Sequence, residues 1–224
     1  MSSKLDLFGR SVSGFIFDFD GVLADSLAAH VKAWHMAVEE IFQCPMSEEE
    51  SIEIVGRSTR VISKYLCENR SVLYRQQELI DKKTECVLSL YDEISLFSGV
   101  HEVFQSLRDQ NISFGIASNA PRSFICKILD SKGIKAPIVF GLGDTVRPKP
   151  APDPFLACAR AIRLHKCPES VVVFEDSLHG LKAAKKAQMI AVGISSQTEE
   201  KKLLEGGADF VFSSVEEALR PILK

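Results

Sequence analysis

The chain has 224 residues, of which 46% are hydrophobic and 25% charged, and a net charge of -3. That is long enough for one large domain, or for a domain carrying an insertion, with a sizeable buried core. The slightly acidic balance and the dispersed lysines and arginines exclude a general nucleic-acid binder. No stretch approaches the roughly 20 apolar residues of a membrane span.

Residues 1–13 are polar and mixed and lack the apolar segment of a secretory signal, so the expected location is the cytoplasm. The six cysteines form no CxxC pair. They read as reduced packing residues, with a metal or redox role as the alternative.

The segment Gly14-Phe15-Ile16-Phe17-Asp18-Phe19-Asp20-Gly21-Val22-Leu23 reads as a buried first strand, ending in Asp18, whose apolar, β-prone run delivers two carboxylates just before a glycine. At the C-terminal edge of an open α/β sheet such a pair either shares a proton or holds a hard, oxygen-liganded cation such as Mg²⁺. An ordinary turn is the alternative for Asp and Gly taken alone. An EF-hand is excluded, because Gly21 follows directly on Asp20 and Val22, Leu23 and Ala24 come next.

From about Ser26 to Phe97 the pattern is helical. Val31, Trp34, Val38, Ile41 and Phe42 recur at helical spacing, Cys44-Pro45 breaks the run, and Ser47-Glu48-Glu49-Glu50 reads as a capped helix start. Further helices are expected over Arg57 to Cys67 and Val72 to Tyr91.

After Ser98-Gly99 short apolar strands alternate with helices, the mark of a parallel, doubly wound sheet. The expected strands are Ile112 to Ala117, Ile138 to Phe140, Val171 to Phe174, Ile190 to Gly193 and Phe210 to Phe212. Helices are expected around Val100 to Gln110, Arg122 to Lys132, Pro154 to Leu164, Leu178 to Ala187, Thr198 to Leu204 and Val215 to Ile222. The expected organisation is an α/β core over 1–25 and 98–224 with an all-helical insertion over 26–97, placed to act as a lid.

Three further strand ends carry polar groups. Ser118-Asn119-Ala120-Pro121-Arg122 offers a hydroxyl, an amide and helix-opening N–H groups suited to an anion, or else a plain N-cap. Lys149 sits in Arg147-Pro148-Lys149-Pro150-Ala151-Pro152-Asp153, whose prolines would present its ammonium in a fixed direction. Glu175-Asp176-Ser177 repeats the acidic edge of the first strand, with helix capping by Asp176 as the alternative. Two acidic edges in one sheet would repel each other without a cation.

Together, Asp18-Phe19-Asp20-Gly21-Val22-Leu23-Ala24-Asp25-Ser26, Ser118-Asn119, Lys149 among its prolines, and Phe174-Glu175-Asp176-Ser177 with Gly180 resemble the haloacid dehalogenase superfamily. The likeness is to its members with a helical cap after the first strand, such as sugar phosphatases and β-phosphoglucomutase-like proteins, and it covers nearly the whole chain. The fold it implies is a Rossmann-like core with an inserted cap.

The mechanism the resemblance implies is phosphoaspartyl. Asp18 would be the nucleophile and Asp20 the acid and base. Ser118, with Asn119 beside it, and Lys149 would receive the phosphoryl group. Asp18, Asp20 through its carbonyl, and Asp176 would hold Mg²⁺, with Glu175 a ligand or a support. On the cap, His30 matches a mutase histidine that assists the acid/base aspartate, with packing as the alternative, while Trp34 reads as packing.

The loop Ile54-Val55-Gly56-Arg57-Ser58-Thr59-Arg60 resembles the family's substrate-reading loop. β-Phosphoglucomutases carry a lysine before that glycine and an arginine three positions after it, where this chain has Val55 and Thr59. Pro148 stands where many relatives have glycine. The leading expectation is therefore a phosphatase of a small phosphorylated metabolite, a sugar or polyol phosphate, working as a monomer. A phosphomutase and a catalytically silent binder are the rivals.

Overall fold

The computed structural model describes residues 5–54, 57–135 and 137–223. In chain order, β1 (Leu5–Leu7) and β2 (Arg10–Val12) form an antiparallel hairpin, followed by β3 (Gly14–Phe17) and β4 (Ala24–Asp25). Four helices come next: α1 (Leu27–Phe42), α2 (Glu48–Glu53), α3 (Thr59–Glu68) and α4 (Gln76–Ser89). The alternating part runs β5 (Ser95–Leu96), α5 (Val100–Asp109), β6 (Ser113–Ala117), α6 (Arg122–Ser131), β7 (Ile138–Phe140) and α7 (Asp153–Ala161). It ends with β8 (Val171–Glu175), α8 (Leu178–Lys186), β9 (Ile190–Ile194), α9 (Glu200–Glu205), β10 (Phe210–Phe212) and α10 (Val215–Leu219). No helix among the described residues is long and apolar enough to cross a membrane.

The chain divides into two compact units, one running up to Asp25 and from Ser95 onward, the other spanning Ser26–Ile94. The first unit is built on a six-stranded sheet of order β10-β9-β8-β3-β6-β7, in which every strand pair is parallel. β3 is central and wholly buried, which explains its unbroken apolar run. On one face Ile16, Val171 and Val173 join the core formed with Phe155 and Cys158 of α7 and Leu181 and Ala184 of α8. On the other, Phe17 stacks on Phe174 at 5.1 Å and meets Phe104 of α5 at 5.6 Å.

The chain leaves β3 toward β6 on one side and leaves β8 toward β9 on the other. This divergence opens a crevice at the carboxyl ends of β3 and β8, where doubly wound sheets bind ligands. Two small elements were not expected from the sequence. In the β1–β2 hairpin, Phe8 and Gly9 both take positive φ and Phe8 stacks on Phe210 at 5.1 Å. The two-residue ladder of β4 with β5 pairs Ala24 with Leu96 and Asp25 with Ser95.

The second unit is helical, with α1 packed along α4 and Trp34 buried. Ser47 and Glu50 close a full capping box on α2, the start expected there. The expected single helix from Val72 begins instead as a short 3-10 turn, Leu73–Arg75, before α4. Glu50 is buried and receives Arg70 at both carboxylate oxygens, at 2.6 and 2.8 Å. These hydrogen bonds outweigh burial and hold the Glu50 carboxyl below its ordinary value of 4.5.

A carboxyl lowered in the folded state contributes stability above its unfolded pKa and loses it as pH falls through the folded value. Arg70→Ala is expected to cost the helical unit about 3 kcal/mol at neutral pH, because it leaves a buried, unpaired carboxylate. Glu50→Gln should flatten the loss of stability that sets in as pH falls below the ordinary carboxyl value of 4.5. Denaturant titrations from neutral pH through that range check both outcomes.

Candidate active site

Asp18 follows directly on β3, and its N–H donates to the Phe174 carbonyl of β8 at 2.9 Å, so the sheet ladder itself fixes the residue. Glu175 ends β8 and Asp176 follows it. Carboxylate oxygens of Asp18, Glu175 and Asp176 lie within 4.8 Å of one another. Into this cluster reaches Lys149, with Nζ 2.8 Å from Asp18 Oδ1 and 2.5 Å from Glu175 Oε1. The same ammonium lies 4.8 Å from the centre of the Phe155 ring.

Burial alone pulls the Lys149 ammonium down, but the charges of Asp18 and Glu175 outweigh it and hold it above the usual lysine range. Burial, with the Asp18 charge, pushes the Glu175 carboxyl up to about 7 against the pull of Lys149. Burial also drives Asp176 well above the carboxylate range, helped by the charges of Glu175, Asp18 and Asp20. The cluster of three carboxyl groups thus has one ammonium, which pairs with Asp18 and Glu175. The unmet negative charge and the all-oxygen donor set suit a hard divalent cation.

Both oxygens of Glu175 are engaged, because Oε2 accepts from the N–H and the hydroxyl of Ser177 at 3.2 and 2.9 Å. Glycine is required on either side of the cluster. A Cβ on Gly180 would overlap the Glu175 carboxylate, and one on Gly21 would overlap that of Asp176. Gly21 also takes φ 74°, a left-handed conformation that lets the chain turn sharply after Asp20.

Ser118 is buried at the end of β6, where its N–H donates to the Phe140 carbonyl at 2.9 Å. Its hydroxyl oxygen accepts from the Ala120 N–H at 3.2 Å, so its proton is directed elsewhere. The amide of Asn119 bonds to the Lys149 backbone at both ends, Oδ1 to N–H at 3.1 Å and Nδ2 to C=O at 3.3 Å. Asp20 is half-buried, two residues beyond Asp18.

Of the residues expected on the helical insertion, Gly56 lies outside the described residues. Arg57 is exposed, pairs with Glu53 one helical turn back, and lies over the Tyr65 ring. His30 Nδ1 is 2.7 Å from Nζ of Lys83, a buried lysine on α4 that also lies 5.7 Å from the centre of the Trp34 ring. Sequence reasoning missed Lys83, whose partner is 53 residues away. It also missed Ser196, whose hydroxyl donates to the Gly21 carbonyl at 2.5 Å from beyond the end of β9.

The family model described as haloacid dehalogenase-like hydrolase matches residues 15–194, from β3 to the end of β9, including the ends of β3, β6 and β8 that carry the site. The chain belongs to this family. The chain is 30% identical over 195 residues to a β-phosphoglucomutase of Bacillus subtilis, covering 80% of this chain and 81% of that protein. It is also 30% identical over 204 residues to a phosphorylated carbohydrates phosphatase of Thermotoga maritima, covering 86% and 90%. Among solved structures, a hydrolase from Pseudomonas syringae superposes with a TM-score of 0.76 at 24% identity, over 94% of this chain and 97% of that one, a likeness of fold.

Proposed function

We propose that this haloacid dehalogenase-like hydrolase is a Mg²⁺-dependent phosphatase of a small phosphorylated metabolite, with sugar and polyol phosphates as the leading class. The observation that carries the reading is the buried Lys149 ammonium, 2.8 Å from Asp18 at the edge of a carboxylate cluster. A lysine so held can neutralise charge on a phosphoryl group arriving at Asp18. The phosphatase name of the Thermotoga maritima relative points the same way.

In the proposed reaction an Asp18 carboxylate oxygen attacks phosphorus in line. The phosphorus–ester oxygen bond breaks, and the departing alkoxide takes a proton from Asp20. Asp20, now a carboxylate, removes a proton from water, whose oxygen attacks the aspartyl phosphate and releases inorganic phosphate and Asp18. The Ser118 hydroxyl, free to donate outward, and N–H groups at the start of α6 bind the phosphoryl oxygens. Asp18, Asp176 and the backbone carbonyl of Asp20 would hold Mg²⁺, which when bound offsets the negative charge of carboxylates and phosphate. With both oxygens engaged, Glu175 serves to anchor Lys149.

Substrate reading is assigned to the helical unit, to His30, backed by Lys83, and to Gly56 and Arg57. The test is phosphate release from a panel of phosphorylated sugars, polyols, nucleotides and glycolate, with Mg²⁺ and with chelator. Release that requires Mg²⁺ and returns on adding it back is the expected result. Release that persists in chelator overturns the metal assignment. Sugar-phosphate isomerisation without release would favour the mutase reading suggested by the Bacillus subtilis relative, and neither activity would favour a silent binder.

A further inference from the structure

We infer that Asn119 is a positioning residue for Lys149: its amide clasps the lysine's backbone and so sets where the ammonium stands, and it does not bind the substrate. The inference rests on the phosphatase reading for what Lys149 does, and on geometry alone for how Lys149 is held.

The need for a clasp follows from the local sequence. In Pro148-Lys149-Pro150-Ala151-Pro152 the prolines have no N–H, so Lys149 and Ala151 carry the segment's only backbone donors. Ala151 donates back to the Pro148 carbonyl at 3.0 Å. No strand ladder reaches the segment, and Lys149 is buried, so its N–H would go unsatisfied without a side-chain partner. The Asn119 amide carries one acceptor and one donor at the spacing of a backbone N–H and C=O, and it meets both on the same residue, at 3.1 and 3.3 Å.

Asn119 is itself held next to a rigid element, since the neighbouring Ser118 is still bonded to β7 through its N–H. Lys149 is thus tied at two ends, its backbone by a neutral amide and its ammonium by Asp18 and Glu175. The second tie changes when Asp18 becomes phosphorylated, whereas the first involves no reacting group. The clasp therefore keeps the ammonium in register through both half-reactions. With its oxygen and one N–H committed to Lys149, the amide has only its second N–H and a lone pair left for any other contact.

The test is Asn119→Ala, read by amide hydrogen exchange in the absence of any ligand, together with steady-state kinetics. Exchange of the 147–153 segment is expected to speed at least tenfold while the strands of the sheet keep their protection. kcat is expected to fall about tenfold with KM changed less than twofold. Asn119→Gln retains the amide but adds a methylene that prevents both bonds from closing, and it should reproduce the local acceleration.

Unchanged exchange in 147–153, or a raised KM with kcat intact, would overturn the proposal and return Asn119 to the substrate. Faster exchange with unaltered turnover would also overturn it, as would uniform acceleration across the sheet in both variants. Because exchange is read without substrate, a wild-type protein that releases no phosphate would sink the phosphatase reading, while the exchange result would still decide the clasp.

Discussion

Asp18→Asn is expected to yield a folded protein whose turnover is lower by about 10⁴-fold or more, the scale on which loss of a nucleophile is usually felt. The substitution is isosteric. The backbone N–H that joins Asp18 to Phe174 is untouched, and an amide oxygen can still accept from Lys149. What is lost is the carboxylate that, in the proposed reaction, forms the acyl phosphate. Removing one charge from a cluster of three carboxyl groups with one ammonium should leave the melting temperature unchanged or higher. Phosphate release measured beside a thermal melt separates the two effects. A variant that kept a tenth of wild-type activity would remove Asp18 from the nucleophile's role.

The second large effect is expected from Lys149→Met, which keeps the length of the side chain and discards its charge. Asp18 and Glu175 would then face each other without the cation between them, at a cost of about 3–5 kcal/mol. For a chain of this size that corresponds to a fall in melting temperature of roughly 10 °C. Turnover should drop by about 10²–10³-fold through loss of charge stabilisation at the phosphoryl group.

Lys149→Met combined with Glu175→Gln separates the two roles. Neutralising the stranded carboxylate should recover most of the stability and none of the turnover. Recovery of both would mean that Lys149 acts only as a structural counter-charge.

The core strands were legible because burial on both faces of the sheet leaves continuous apolar runs such as Phe15 to Phe17 and Val171 to Phe174, which need no partner to be recognised. The acidic residues at their ends were legible for the same reason, since each interrupts such a run. The β1–β2 hairpin was not legible. Its strands are three residues long and its Phe8-Gly9 turn lacks the usual Asn or Asp, and the contact of Phe8 with Phe210 lies about 200 residues along the chain.

Within the site, the residue types pointed to phosphoryl chemistry, but their mutual assignments depended on register between distant segments. Nothing in Pro148-Lys149-Pro150 reveals that Asn119 holds its backbone, and Glu175 reads from sequence as a metal ligand or a support, whereas in the structure it meets Lys149. Lys83 and Ser196 lie in no motif, and each is revealed only by the atom it touches.

The short ladder of β4 with β5 has a further consequence for how such a chain can change over time. Because Ala24 pairs with Leu96 and Asp25 with Ser95, the two points where the helical segment leaves and rejoins the sheet-bearing unit are neighbours. Everything from Ser26 to Ile94 is, to that unit, a single loop closed by a stem. Loop closure grows only slowly with length, by about 0.6 kcal/mol for each doubling. Helical segments of very different length and sequence could therefore be exchanged at this stem with little thermodynamic consequence for the sheet, leaving the carboxylates of β3 and β8 undisturbed while the exchanged part diversifies.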